Sequence, residues 1–188
     1  MKIPSMSECM AIMREYDVPE NVMAHTEAVR RIANFLAEKI SARGNDVDSK
    51  LVDRAALMHD FLKVHCIRNK CRHAHEAGRV LAERGYPEFG EAVKQHGLEE
   101  VLVFGQKTRL EAKIVWYADK RVNHDKVVSL AERYAYLKSR YGSASGKKMA
   151  EIVSTQVPAI ELERELFALA GIGKDFSAAD ISARKGAE

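Results

Sequence analysis

The sequence predicts an all-α fold, a compact helical bundle. Three observations predict it. Apolar residues recur at helical spacing through most of the 188 residues. No stretch keeps the apolar–polar alternation of a half-buried strand. Glycines, prolines and Ser or Asp residues punctuate the periodic segments where helices start and stop.

The elements follow in order. "SMSECMAIMREY" opens a first helix, with Ser5 or Ser7 as N-cap and Met6, Met10 and Met13 on one side. "DVPEN" breaks the chain, because Pro19 disfavours helical backbone at Val18. A long helix is expected over about 20–42, with Val22, Val29, Ile32, Ala33, Leu36 and Ile40 as its apolar stripe. "RGNDVDS" is a loop, in which Gly44 suits the C′ position and Asp48 or Ser49 the next cap. A third helix is expected over about 50–62, and "KVHCIRNKCRH" after it is read as turns. "AHEAGRVLAERG" is a helix ending at Gly85. "PEFGEAVKQHG" is a short helix beginning at Pro87 and ending at Gly97. "LEEVLVFGQKT" has no clear period. "RLEAKIVWYADKRVN" is a helix with Ile114, Val115, Ala118 and Val122 inward. "HDKVVSLAERYAYLKSRYG" is another, and "GKKMAEIVSTQVPAIELERELFALAG" is a last long one that Pro158 is expected to kink or split. These elements divide into an N-terminal helix (1–19), a central domain (20–142), a helical extension (143–174) and a flexible tail (175–188).

Composition excludes several functions. Thirty Lys and Arg against 27 Asp and Glu give a net charge of +3, too weak to argue for DNA binding, although it leaves room for a local basic patch. No run approaches the roughly 20 apolar residues of a membrane span, and the first residues hold no secretory signal. Cys9, Cys66 and Cys71 are an odd number and suggest no disulfide framework, so a cytoplasmic protein is expected.

Polar residues stand where apolar ones belong. His25 sits three residues after Val22 and four before Val29, inside the stripe. His59 follows Val52, Ala55 and Ala56 at helical spacing, and Asp60 lies about 100° further round the helix. Asp119 sits four residues after Val115 and three before Val122. His96 closes a short helix near Val93. One such histidine alone is usually a hydrogen-bonded core residue. Several on separate helices, with two carboxylates that are costly to bury unpaired, point to a shared metal ion, since imidazole and carboxylate are common ligands of Zn, Mn and Fe.

The ordered set His25, "H59-D60" and Asp119 resembles the H…HD…D signature of the HD-domain metal-dependent phosphohydrolases. The likeness extends over residues 21–141 and includes the contexts "VMAHTEAVRRIA", "ALMHDFLK" and "IVWYADKRVNHD". "H73-AHEAGRVL" and "VKQH96" resemble the additional histidine elements of two-metal members. The ligand pattern looks most like the bacterial binuclear HD hydrolases of diadenosine tetraphosphate. The resemblance implies an HD-domain bundle with one metal position at His25, His59, Asp60 and Asp119. It implies a second at Asp60, His73 and His96, with Asp60 as the bridge. His75 is a rival for His73. The implied reaction is hydrolysis of a phosphoester or phosphoanhydride by metal-activated water, with Asp60 and Lys63 as the catalytic residues. One or two ions of Fe, Mn, Zn, Co or Mg would serve.

Lys63, one helical turn past the His–Asp pair, is the first candidate for a phosphate-binding cation. Lys120, Arg121 and Arg109 follow, each weighed against a solvated helix face or loop. His65 and His124 are read as surface or supporting residues. "RGYPE" shares letters with the HD-GYP phosphodiesterases, but here it precedes His96 and reads as helix punctuation. Cys66 and Cys71 are discounted as a zinc site. "GLEEVLVFGQKT" departs from the diadenosine hydrolases, which leaves the substrate open: a phosphorylated small molecule, nucleotide-like on the resemblance. A metal- or nucleotide-binding regulatory module and a di-iron oxygenase are the alternatives. A homodimer is compatible with the amphipathic C-terminal helices.

Overall fold

The structure is a computed structural model in which residues 1–173 and 176 are described. Among the described residues nine α-helices carry the chain, with one two-stranded ribbon. The tail expected at 175–188 lies, Phe176 apart, outside them.

Helix α1 (Met6–Glu15) starts at Ser5, whose hydroxyl accepts from the Glu8 N–H while the Glu8 carboxylate accepts from the Ser5 N–H, a reciprocal cap. It buries Cys9, Ile12 and Met13 against α3. Helix α2 (Glu20–Ser41) is the central element and packs on α3, α7 and α9. Its predicted stripe is buried throughout, and Gly44 takes the expected left-handed conformation at φ +82°. Asp48 caps α3 (Ser49–Met58). The Asp53 carboxylate accepts from Arg30 Nε at 2.6 Å and Asn34 Nδ2 at 2.7 Å, tying α3 to α2.

The first departure from expectation falls at the His–Asp pair. The sequence predicts one helix over 50–62; the chain instead ends α3 at Met58, winds through two four-residue turns, and starts α4 (Lys63–Asn69). No Gly or Pro marks the break. Tertiary packing sets it, and "KVHCIRN" is therefore a helix rather than turns. Lys70 ends α4 with φ +54°, and Cys66 is joined to Cys71 in a disulfide, against the expectation of none. Cys9 remains free and buried.

Helices α5 (His73–Glu83) and α6 (Pro87–Lys94) form a tight pair. A Cβ on Gly90 would come within 2.6 Å of the Gly78 carbonyl oxygen, so only glycine permits this approach. The pair sets His73, at the start of α5, beside His96, just past α6. A 3-10 segment (Leu98–Leu102) leads on to α7 (Leu110–Asp119).

The second departure follows α7. Strands β1 (Val122–Asn123) and β2 (Lys126–Val127) pair antiparallel, where the sequence predicts helix on both sides. The turn between them places His124 at φ +55°. Helix α8 (Leu130–Arg140) begins six residues later than "HDKVVS" suggests, because Ser129 and Glu132 form a reciprocal cap. A short 3-10 turn (Gly142–Ala144) leads to α9 (Gly146–Ala170), which passes Pro158 unbroken and ends at Gly171. Buried Ile152, Ala159, Leu162 and Leu166 hold the helix on the core on both sides of the proline. No helix among the described residues is long and apolar enough to cross a membrane.

Candidate metal centre

Four elements converge at one point: α2 brings His25, the turn after α3 brings His59 and Asp60, the α5–α6 pair brings His73 and His96, and the end of α7 brings Asp119. Three of the four imidazoles are fixed by backbone carbonyls. His25 Nδ1–H donates to the His124 carbonyl at 2.7 Å, His59 Nδ1–H to the Ala56 carbonyl at 2.8 Å and His96 Nδ1–H to the Val93 carbonyl at 2.6 Å. In the neutral ring this leaves Nε2 as the bare nitrogen, a common second-sphere arrangement around metals.

Those bare nitrogens point at other acceptors. His25 Nε2 lies 3.1 Å from Asp119 Oδ1 and 3.7 Å from Asp60 Oδ2. His59 Nε2 lies 3.5 Å from Asp60 Oδ2 and 3.8 Å from Asp119 Oδ1, is fully buried, and has no hydrogen-bond partner. His96 Nε2 is 3.1 Å from His73 Nε2 and 3.7 Å from Asp60 Oδ1, and His73 Nε2 is 3.2 Å from that same oxygen. Lone pair facing lone pair in a buried site is unfavourable unless a cation lies between. The residues fit a metal ion on this ground.

Asp60 has two faces. Its Oδ2 turns to His25 and His59, and its Oδ1 to His73 and His96. Two ligand groups result, His25–His59–Asp60 and Asp60–His73–His96, each with its donor atoms within 4.8 Å of one another. Asp119 stands on the first group's side.

The protonation states suit metal ligands. Burial pushes the His59 imidazole toward the neutral form, against the pull of Asp60 and Asp119. Burial, reinforced by His73 and His59, holds His96 well below the usual imidazole range. Burial alone would raise Asp60, but Lys63, His59 and His73 outweigh it and hold the carboxyl well below its usual range. Asp119 is likewise raised by burial and more strongly lowered by Lys120, His25 and His59. Neutral imidazoles and ionised carboxylates are the forms that bind metal.

The predicted cations are placed very differently. Lys63 Nζ donates to Asp60 Oδ2 at 2.5 Å, and the Asp60 charge raises the lysine's pKa despite burial. Lys120 lines the cleft but is buried; its ammonium donates to the His96 carbonyl at 3.1 Å and to Asp119, so it supports ligands rather than facing solvent. Arg121 turns away from the cleft. It donates to Tyr117 Oη, to the Val128 carbonyl and to the Phe176 carbonyl, an arrangement that α7 sets by ending just before it. Arg109 stands at the opposite end of α7 with no side-chain capping bond, exposed and beside Glu111, about 15 Å of helix from Asp119. Neither arginine reaches the site. His75 belongs to neither ligand group. His124 contributes its carbonyl, not its ring, to His25.

Sequence reasoning missed Arg133. It lines both cavities that open onto the centre, of about 300 and 280 Å³. Lys63, Ile67 and Tyr141 also line both, while Tyr136 and Arg140 lie on the His25 side and Leu98 and Lys148 on the His73 side. The signal was present: 130, 134 and 137 form the buried stripe of α8, position 133 falls at the same helical spacing, and a largely covered arginine there needs a reason.

A helical bundle that gathers bare imidazole nitrogens and ionised carboxylates around one point defines the class: a helical protein with a candidate metal centre. Residues 22–136 match the HD domain, and the chain belongs to that family. A tRNA (cytidine(56)-2'-O)-methyltransferase from Picrophilus torridus is 25% identical over 142 residues, which are 69% of this chain and 40% of that protein. The chain therefore spans about two fifths of this curated relative. The crystal structure of a predicted HD superfamily hydrolase from an uncultured Thermotogales bacterium is 22% identical, with a TM-score of 0.46, covering 89% of this chain and 94% of that one.

Proposed function

We propose that the protein is a metal-dependent phosphohydrolase that cleaves a phosphoester or phosphoanhydride bond of a nucleotide-type small molecule. The observation that carries this reading is the two-faced Asp60, whose oxygens serve separate histidine groups at the floor of an open cleft. His25, His59, Asp60 and Asp119 would hold one ion, and Asp60, His73 and His96 a second. Among the metals expected, imidazole-rich sets favour Zn or Fe over Mg. Bound ions would supply an activated water and screen charge on the phosphoryl oxygens.

The chain's own groups do the remainder. The carbonyls of His124, Ala56 and Val93 hold three imidazoles in the tautomer that presents Nε2. Lys63, protonated beside Asp60 and at the cleft wall, would hold a non-bridging phosphoryl oxygen. Lys120 keeps Asp119 and the His96 backbone in place. In the reaction, a water oxygen forms a bond to phosphorus and the bond from phosphorus to the leaving oxygen breaks. One proton of the water ends on the leaving group and the other hydrogen stays with, or is lost from, the phosphate product. The resemblance to diadenosine tetraphosphate hydrolases puts dinucleoside polyphosphates first on the substrate panel, with nucleoside monophosphates second.

The test is elemental analysis of protein purified without chelator, together with phosphate release from that panel. Metal near two ions per chain with release from at least one compound is expected. Protein that binds no Mn, Fe, Co or Zn and releases nothing would return the chain to the binding-module reading. Oxygen consumption by iron-loaded protein in place of phosphate release would favour the oxygenase.

A further inference from the structure

We propose that Arg133 is a substrate-positioning residue, the arm that grips the non-bridging oxygens of a phosphoryl group across the cleft from Lys63. The inference rests on the phosphohydrolase reading and adds a residue and a recognition chemistry to it.

Leu130, Tyr134 and Leu137 form the buried face of α8, and Arg133 stands within that stripe, where an apolar side chain would pack. Its side chain is 12% exposed. A guanidinium carries five N–H donors, and burying them unpaired is costly. Among the described residues, one hydrogen bond is made, from Nη1 to Asn123 Oδ1 at 3.0 Å. Nη2 stands 3.7 Å from Asp119 Oδ1, too far for a hydrogen bond. Nε is buried with no partner. The guanidinium carbon lies 5.9 Å from the Tyr136 ring centroid, which supplies a cation–π contact but no acceptor.

Most of this largely covered guanidinium's donors are thus left for something else, and Arg133 lines both cavities that flank Asp60. Lys63 lines both as well. Lys63 is paired with Asp60 and Arg133 stands 3.7 Å from Asp119, so an anion entering the cleft would meet two cations whose donors are only partly used. The planar donor fork of arginine matches a tetrahedral oxyanion with two parallel bonds, which a lysine cannot make. A plain structural role, steadying Asp119 and Asn123, would use Nη1 and Nη2 and leave Nε without purpose.

The experiment is calorimetric titration of metal-loaded protein with inorganic phosphate, with metal content measured on the same samples. Parent, Arg133→Gln, Arg133→Lys and Arg109→Gln are compared. Arg133→Gln should weaken phosphate binding by about tenfold or more, the scale of one charge-assisted hydrogen bond. Metal content should not change, Arg133→Lys should recover part of the loss, and Arg109→Gln should match the parent. Should Arg133→Gln fail to fold, Arg133→Lys carries the test, since loss of the fork alone should still weaken binding. Unchanged phosphate affinity in the Arg133 variants overturns the proposal, as does a parent that binds no phosphate. Loss of metal with unchanged affinity in the loaded fraction reassigns Arg133 to steadying Asp119. A parent that binds phosphate through Arg133 yet hydrolyses nothing would sink the enzymatic reading and leave this one standing.

Discussion

The two ligand groups share Asp60 but live in different surroundings. His59 is fully buried and His25 is 8% exposed in its side chain, whereas His73 is 37% exposed. Both rings of the first group are tied to backbone carbonyls; in the second, His96 is tied and His73 stands at the cleft edge. The contrast lies in His73: the other three rings are buried in the core, whereas His73 stands at the surface of the cleft. A metal in the first half would be held by the fold itself. A metal in the second would be the one nearer solvent and substrate.

The harshest test of this comparison is Asp60→Ala, which removes the group the halves share. Loss of an outer-sphere partner of a ligand typically costs ten- to a hundredfold in affinity or activity, so loss of the bridge should exceed about a hundredfold in hydrolysis and empty both positions. Elemental analysis checks it, and full occupancy of both positions would falsify the bridging assignment. A smaller effect separates the halves: His73→Ala should reduce metal from about two per chain to about one, while His75→Ala should leave the content of the parent. The reverse result would hand the second position to His75.

How much of this was legible depends on where the physics resides. The stripe of α2 follows from local spacing and could be read directly, and side-chain chemistry narrowed the caps to Ser5 or Ser7 and to Asp48 or Ser49, of which Ser5 and Asp48 serve. The gathering of His25, His59 and Asp119 on inward faces could be read for the same reason, since helical period fixes the direction a side chain takes. The break at Met58 could not, because no Gly or Pro announces it and only packing makes the chain turn there. The ribbon at Val122–Val127 was hidden by the helical look of "VNHDKVV", although the S-x-x-E pattern at Ser129 marks where α8 truly begins. The fates of Lys120 and Arg121 rest on tertiary contacts 24 and 55 residues away in sequence, whereas Arg109 is paired locally with Glu111.

Removal of metal offers a gentler probe of the same contrast. Because His73 borders the cleft and His59 does not, a chelator should strip the protein in two phases. The faster phase should be lost in His73→Ala, and time-resolved metal content after mixing with excess chelator reads both. A single phase in the parent would mean that the two halves exchange as one unit and that burial does not distinguish them.

The smallest expected effect lies outside the centre and serves as its reference. Tyr86 Oη donates to the Glu8 carboxylate at 2.6 Å, and this bond, with the Ser5 hydroxyl and N–H, lowers the Glu8 pKa to about 2. A carboxyl whose folded pKa is depressed adds stability above its unfolded value, near 4.5, and loses it as pH falls toward 2. Tyr86→Phe should therefore lower the melting temperature modestly at pH 6, and the gap from the parent should narrow as pH is taken below about 4.5. Metal content at pH 7 should not move, because α1 supplies no ligand. If Tyr86→Phe also emptied the second ligand group, the corner between α5 and α6 would be setting His73 and His96 through Tyr86. The exposed half of the centre would then owe its geometry to α1 as much as to the Gly78–Gly90 contact.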